Sequence, residues 1–139
     1  MFFGIFLNYM KLRIRGDSIR LRLTESEIAQ LGDTGKVDEM VEFGSAQPGL
    51  SYQLHATDAD TIHARFEDNC VRVSVPKDAA EGWMHSDQVG IEGAQPLGEG
   101  RFLRILIEKD FACLTERLNE DETDAFPNPF ANSMQSAVC

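Results

Sequence analysis

Strict alternation of apolar and basic residues on either side of Gly16-Asp17 is the feature that most constrains the fold. It runs over residues 10–15 and again over 19–23. A period of two is typical of strands with one buried face, and a Gly-X pair suits a two-residue type II′ hairpin turn. The predicted hairpin pairs Arg15 with Ser18, Ile14 with Ile19, Leu12 with Leu21, and Met10 with Leu23.

The same register sets like charges against each other on the polar face. Arg13 falls opposite Arg20, and Lys11 falls opposite Arg22. Like charges directly opposed across a strand pair are unfavourable, so we expect acidic groups nearby. They come either from a ligand or from the protein itself, where the candidates are Asp38 and Glu42.

Charge is distributed unevenly along the chain. The net charge is −10, yet segment 11–22 carries five basic residues and one acidic residue. The overall acidity argues against a nucleic-acid partner, which needs a broad basic footprint. Guanidinium groups bind phosphates and carboxylates well. The sequence therefore predicts an anion-binding site made of Lys11, Arg13, Arg20, Arg22, Arg65 and Arg72. The alternative is a solvated face partnered by protein carboxylates, including those of the tail.

Residues 50–75 predict a three-strand meander with a loop at 58–60 and a turn at Asp68-Asn69. Its apolar rows would be Tyr52–Phe66–Val71, Leu54–Ala64–Val73 and Ala56–Ile62–Val75. The polar rows would be His55–His63–Ser74, Gln53–Arg65–Arg72 and Ser51–Glu67–Cys70. Agreement across three strands supports this register.

Two short helices complete the predicted elements. Thr24 and Glu27 form a capping box for a helix that Gly32 would end, and Pro76 can open a second helix over 77–85. Residues 101–108 predict a central strand, preceded by a Gly/Pro-rich loop over 93–100. We find no internal repeat. The predicted fold is α+β: a curved antiparallel sheet or half-open barrel of about seven or eight strands with two short helices.

Metal binding or catalysis is the alternative class of function. His55 opposite His63 could hold a transition metal, although such a site needs three or four ligands. Cys113 is a candidate nucleophile, but it needs a base within reach and its apolar neighbours favour burial. No Gly-rich phosphate loop or nucleophile elbow occurs, so we expect no cofactor and no catalytic residue.

The predicted organisation has three parts. Residues 1–9 are an apolar leader or an extension of the first strand, with Met10 favoured as the natural start. Residues 10–110 form a single α+β domain, and residues 111–139 are an acidic, Pro-containing tail. The tail would stay disordered, dock on the basic residues of the first hairpin (Lys11, Arg13, Arg20 and Arg22) or bind a partner.

The cellular setting follows from cysteines and hydropathy. Three cysteines without CxxC spacing (Cys70, Cys113 and Cys139) indicate a reducing compartment. No apolar run reaches the roughly 20 residues that a membrane span needs. We therefore expect a soluble cytoplasmic protein with no membrane partner. The sequence does not fix its oligomeric state.

Several segments resemble a family of small uncharacterised bacterial proteins. They are MKLRIRGDSIRLRLTESE (10–27), SDQVGIE (86–92), LIEKDFACL (106–114) and EDETDAFPNP (120–129). That family typically opens with a basic strand, a Gly-Asn-Ser turn and an Ile-Arg-Leu-Arg-Leu strand, so Asp17 stands where Asn is expected. The resemblance spans most of residues 10–129. It implies a domain of that extent starting at Met10, and it implies no activity.

Together these features favour a small non-catalytic binding or interaction module. Its basic face would take an anionic ligand, a protein partner or its own acidic tail. The alternative is a metal-binding protein or enzyme that uses His55 and His63 or Cys113.

Overall fold

A computed structural model describes residues 9–44, 46 and 48–111. Within these residues the chain forms eight strands and two helices, which confirms the α+β class. The elements, in chain order, are β1 Lys11–Ile14, β2 Ser18–Leu23, α1 Glu25–Thr34, β3 Lys36–Val41, β4 Leu50–Thr57, β5 His63–Glu67, β6 Cys70–Pro76, α2 Lys77–Met84, β7 Gly90–Gly98 and β8 Arg101–Lys109. The first eight residues and most of the predicted tail, including Cys113 and Cys139, lie outside the described residues.

The strands form two four-stranded sheets. Sheet A has the order β1-β2-β8-β7, and sheet B has the order β3-β4-β6-β5. In each sheet two antiparallel hairpins are joined by a parallel central pair, β2 with β8 or β4 with β6. The single curved antiparallel sheet or half-open barrel is therefore not confirmed, because the sheets are mixed and are not closed into a barrel. Parallel pairs join strands that are distant in sequence and leave no local pattern.

The first hairpin follows the predicted register. Ile14 pairs with Ile19 and Leu12 with Leu21, so that Arg13 does lie opposite Arg20. Gly16 adopts a φ of +55°, a conformation that costs a residue without a Cβ little. The turn and the binary pattern agree, and both set the hairpin.

The predicted meander has the right rows but the wrong strand order. Tyr52 and Phe66 both pair with Val71, as the apolar rows require. However, β6 lies between β4 and β5, so that β4 runs parallel to β6 and does not pair with β5. Alternation determines which face a side chain occupies, but not which strand is its neighbour.

Both helices form where the capping residues predict them. The backbone N–H of Thr24 donates to Oε1 of Glu27 at 3.0 Å, and α2 begins directly after Pro76. However, α1 continues past Gly32 to Thr34, since Gly35 adopts the left-handed conformation and its N–H donates to the carbonyl of Leu31. This αL ending is a common helix stop.

Strand β7 replaces most of the predicted Gly/Pro-rich loop. Pro96 is tolerated because β7 is an edge strand, where the missing N–H removes no essential ladder bond. Gly93 permits a close approach, since an added Cβ would stand 3.0 Å from Cβ of Ile62, the residue just before β5. The glycines and the proline that predicted a loop therefore lie within a strand.

One hydrophobic core joins the inner faces of both sheets to the two helices. Trp83 of α2 and Leu31 of α1 are fully buried in it. The strands contribute Leu21, Leu23, Val37, Leu54, Val73, Val75, Ile91, Ile105 and Ile107. Burying such side chains stabilises the fold by roughly 1.5–3 kcal/mol each. No helix within the described ranges is long and apolar enough to cross a membrane.

The structure also reveals an internal repeat, which corrects the expectation that there is none. Each half is a hairpin, a helix and a second hairpin, and each sheet takes one hairpin from each half. Equivalent backbone bonds join the halves: Ser51 N–H donates to Asn69 O, and Arg104 N–H donates to Asp17 O, both at 2.9 Å. The β1–β2 hairpin of the first half corresponds to the β5–β6 hairpin of the second. Arg13 matches Arg65 and Arg20 matches Arg72, and these are the only identical residues between the two hairpins.

Candidate anion-binding face

The basic face is the outer surface of sheet A. We define it as Lys11, Arg13, Arg20, Arg22 and Arg104, which alternate with residues that point into the core. On β8, for example, Ile105 and Ile107 are buried. Successive residues of a strand point to opposite faces, so Arg104, which directly precedes Ile105, points outward. The parallel pairing of β2 with β8 adds Arg104 to the basic residues of the first hairpin.

Glu108 is the main counter-charge of this face. Its Oε1 atom lies 2.7 Å from Nε of Arg22 and 3.5 Å from Nε of Arg20. The register explains the contact, since Glu108 is directly opposite Arg22. One carboxylate thus offsets part of the repulsion between the like charges that the hairpin register places opposite each other.

A second counter-charge lies at the end of β8, where Oδ2 of Asp110 is 3.0 Å from Nζ of Lys11. Asp38, which was expected to fill this role, does not. It is on β3 in sheet B and pairs with Lys36 at 3.4 Å. Glu108 and Asp110 come from β8 and the residue just beyond it, far along the sequence from the first hairpin, which the local pattern could not identify.

A groove of about 680 Å³ opens on the basic face. It exists because short side chains flank a long one: Arg104 lies between Ser18 on β2 and Ala94 on β7. Within the described residues Arg104 makes no side-chain ion pair or hydrogen bond. The lining residues are Ser18, Arg20, Glu92, Gly93, Ala94, Phe102, Arg104, Ile105 and Leu106.

The other predicted arginines lie elsewhere. Arg65 and Arg72 oppose each other on sheet B, on a different sheet from the basic face. Oε1 of Glu67 is 3.9 Å from Arg65 and 3.4 Å from Arg72, and Nε of Arg72 donates to Gln53 at 3.1 Å. The six basic residues of the predicted site are therefore divided between two sheets.

His55 and His63 share a row but are not neighbours. Both pair with Ser74 on β6, which separates them by two strand spacings of about 5 Å each. Nε2 of His55 is 2.9 Å from Oε1 of Gln53, and the pKa of His55 is lowered by burial, then by the nearby Lys36 and Arg72. No group of three His, Cys, Asp or Glu suited to a metal occurs among the residues described.

A second polar cluster, which the sequence did not predict, surrounds Met10. Tyr52 Oη donates to the Met10 carbonyl at 2.8 Å, and the Met10 N–H donates to Glu39. Burial raises the pKa of Glu39, and the nearby Glu27 raises it further. Glu27 is only 4% exposed, and its Oε2 atom has no hydrogen-bond partner within the described part of the chain.

Sequence reasoning missed Arg104, Phe102 and Glu92. A signal was available, because Arg104 and Glu108 interrupt the apolar run at two positions that share one face of a strand. The high hydrophobicity of that run predicted a central strand, and β8 does lie between β2 and β7 in sheet A. Its outer face is nevertheless partly open.

Comparison with known proteins places the chain in a family. No curated protein and no solved structure matches it. The model of a family of unknown function, DUF7009, matches residues 10–130, which is most of the sequence. The chain therefore belongs to the DUF7009 family of unknown function.

Proposed function

We propose that this protein is a non-catalytic binding module that holds an anionic ligand in the groove on its basic face. The observation that carries the proposal is Arg104, a guanidinium without an ion pair within the described residues. It lies on the strand next to Arg20, one diagonal step away in the register. Two cations at this spacing can contact one anion together.

The surroundings of Arg104 favour an anion over water alone. Arg20 uses its Nε edge toward Glu108 at 3.5 Å, which leaves its terminal nitrogens available as donors. The hydroxyl of Ser18 lies directly opposite Arg104 in the register and adds a third donor. Lys11 and Arg22 are paired to carboxylates and contribute mainly to the local potential.

Sheet B offers a weaker version of the same arrangement. Arg65 and Arg72 belong to the proposal made from the sequence, but both already contact Glu67. An added anion would have to compete with that carboxylate. We therefore place the ligand on sheet A and use sheet B as the comparison.

The acidic tail is the competing occupant. It lies outside the described residues, and its five acidic side chains are complementary to the basic face in charge. A chain ending at Phe111 separates the two occupants. If the tail fills the groove, truncation should strengthen phosphate binding several-fold. If the groove instead takes a ligand from solution, the truncated and full-length chains should bind phosphate with the same affinity.

Titration with inorganic phosphate at low ionic strength, followed by amide NMR shifts, tests the proposal. We expect shifts at Ser18 and Arg104, and an at least fivefold weaker affinity in Arg104→Gln. Arg72→Gln is the control, because it removes an arginine from sheet B, which does not line the groove. Equal binding by wild type and Arg104→Gln would refute the proposed function.

The metal alternative receives less support. His55 and His63 have no third ligand of the required type among the described residues, and Cys113 lies outside them. Metal analysis of the purified protein addresses it directly. A stoichiometric bound metal that is lost in the double variant His55→Ala/His63→Ala would favour that function instead.

A further inference from the structure

The charges that line the groove nearly balance. Arg20 and Arg104 face Glu92, which lies on β7 across the groove. Glu92 pairs with Leu106, and Leu106 pairs with Arg20, so that two strand spacings, about 10 Å, separate the backbones of Arg20 and Glu92. Glu108 also offsets part of the positive charge of Arg20. Arg104 lies on the middle strand, one diagonal step from both Arg20 and Glu92. A ligand that spans the groove therefore meets the cations of β2 and β8 on one side and the carboxylate of Glu92 on the other.

The floor and one wall of the groove are apolar. Leu106 lies between Arg20 and Glu92 in the same row of the sheet. Phe102 precedes Arg104 by two residues and so shares its face, and 51% of this side chain is exposed. An exposed aromatic ring beside a guanidinium can stack on a planar ligand. Ala94, opposite Arg104, leaves room for such a ligand.

We infer that the groove selects a monoanion with an apolar or aromatic body, and that it disfavours polyanions. This inference rests on the proposed function and specifies its ligand class. One carboxylate or phosphate group would lie between Arg20 and Arg104, while the body covers Leu106 and contacts Phe102. Glu92 repels a second negative charge and accepts a hydrogen bond from a donor on the far end of the ligand.

The groove has a suitable size. Its volume of about 680 Å³ falls within the range of roughly 300–1,000 Å³ for small-molecule sites. A polyphosphate would fill the same space without using the apolar floor, and its outer charges would approach Glu92. Charge and shape thus indicate the same ligand class.

Four probes test this inference by NMR titration at constant ionic strength: acetate, phenylacetate, phosphate and tripolyphosphate. Acetate and phenylacetate carry the same charge and differ only by the ring. We expect phenylacetate to bind about tenfold more tightly than acetate, with shifts at Ala94, Phe102 and Leu106. Tripolyphosphate should bind no more tightly than phosphate.

Two variants sharpen the test. Phe102→Ala should remove most of the advantage of phenylacetate and leave acetate unchanged, whereas Phe66→Ala, an exposed ring on sheet B, should have no effect. Glu92→Gln should strengthen tripolyphosphate several-fold. Equal affinity for acetate and phenylacetate, or tightest binding of tripolyphosphate to the wild type, would overturn the inference while Arg104-dependent phosphate binding still upheld the proposed function. Failure of all four probes to bind would overturn both.

Discussion

The carboxylate of Glu108 lies 2.7 Å from the guanidinium of Arg22, although the two residues are 86 positions apart in sequence. Both side chains are about 15% exposed, so the pair is largely shielded from solvent. The contact depends entirely on the parallel alignment of β2 with β8. It connects the charge pattern of the first hairpin to β8, the last strand among the described residues.

Replacement of Glu108 by Gln should destabilise the protein and strengthen anion binding at the same time. The loss of a partly buried charged acceptor costs about 1–3 kcal/mol. It also releases Arg20 from its only acidic contact within the described residues. Urea denaturation measures the first effect and phosphate titration the second. Glu99→Gln, in the exposed β7–β8 turn, is the control; equal phosphate affinity in both variants would contradict the role assigned to Arg20.

Glu39 should make the fold less stable as the pH rises. Its folded-state pKa is raised above the ordinary 4.5, first by burial and then by the charges of Glu27 and Asp38. A raised pKa contributes stability below the unfolded pKa, and this stability is lost as the pH rises through the folded pKa. We expect Glu39→Gln to flatten the dependence of the unfolding free energy above pH 4.5. Urea denaturation at several pH values measures it.

Glu42→Gln serves as the control for Glu39, because Glu42 is an exposed carboxylate just beyond the same strand. Tyr52 also faces the cluster, but burial, and then the charges of Glu39 and Glu27, raise its pKa above the ordinary 10.0. Its titration therefore does not enter the acidic range. A slope that persists unchanged in Glu39→Gln would assign the effect to another carboxylate.

His55 should act in the opposite pH direction. Its pKa is below the ordinary 6.5, because burial and then Lys36 and Arg72 disfavour the charged ring. The resulting stability is present above pH 6.5 and is lost as the pH falls through the folded-state pKa. Lys36→Gln should raise the pKa of His55 in an NMR titration of its ring protons. Lys77→Gln, on α2, should leave it unchanged, and an equal shift in both variants would exclude a specific effect of Lys36.

Gln95 should contribute measurably to the junction between the sheets. Its Oε1 accepts from the Ala64 N–H at 2.7 Å, and its Nε2 donates to the Ala64 carbonyl at 3.1 Å. Gln95→Ala leaves both backbone groups of this edge strand without their partner, at a cost of about 1–3 kcal/mol. Faster hydrogen exchange at Ala64 and a lower Tm would report the loss. Gln88→Ala removes one exposed bond and should change neither.

Local patterns predicted the β1–β2 and β5–β6 hairpins and both helix starts, since turns and capping boxes depend on residues close in sequence. The row Tyr52–Phe66–Val71 was predicted correctly while the strand order was wrong. Alternation assigns faces, and several strand orders satisfy one set of faces. The internal repeat escaped notice because the halves preserve polarity and spacing but few identities.

The basic residues of β1 and β2 were predictable from the same alternation. The groove was not, because Arg104, Ala94 and Glu92 reach it only through pairings of β8 with β2 and β7. Nor could the sequence assign Glu108 to Arg22, since no rule of spacing connects them. Each missed feature depends on a contact between distant segments.

The exchange of hairpins between halves has a consequence for synthesis. Sheet A needs β8, which ends at Lys109, before the second edge of β2 is covered. The first hairpin therefore has that edge unpaired while residues 24–109 are synthesised. Exposed strand edges promote association with other chains. Nascent chains of this protein should thus depend on chaperones most strongly between the release of β2 and the arrival of β8.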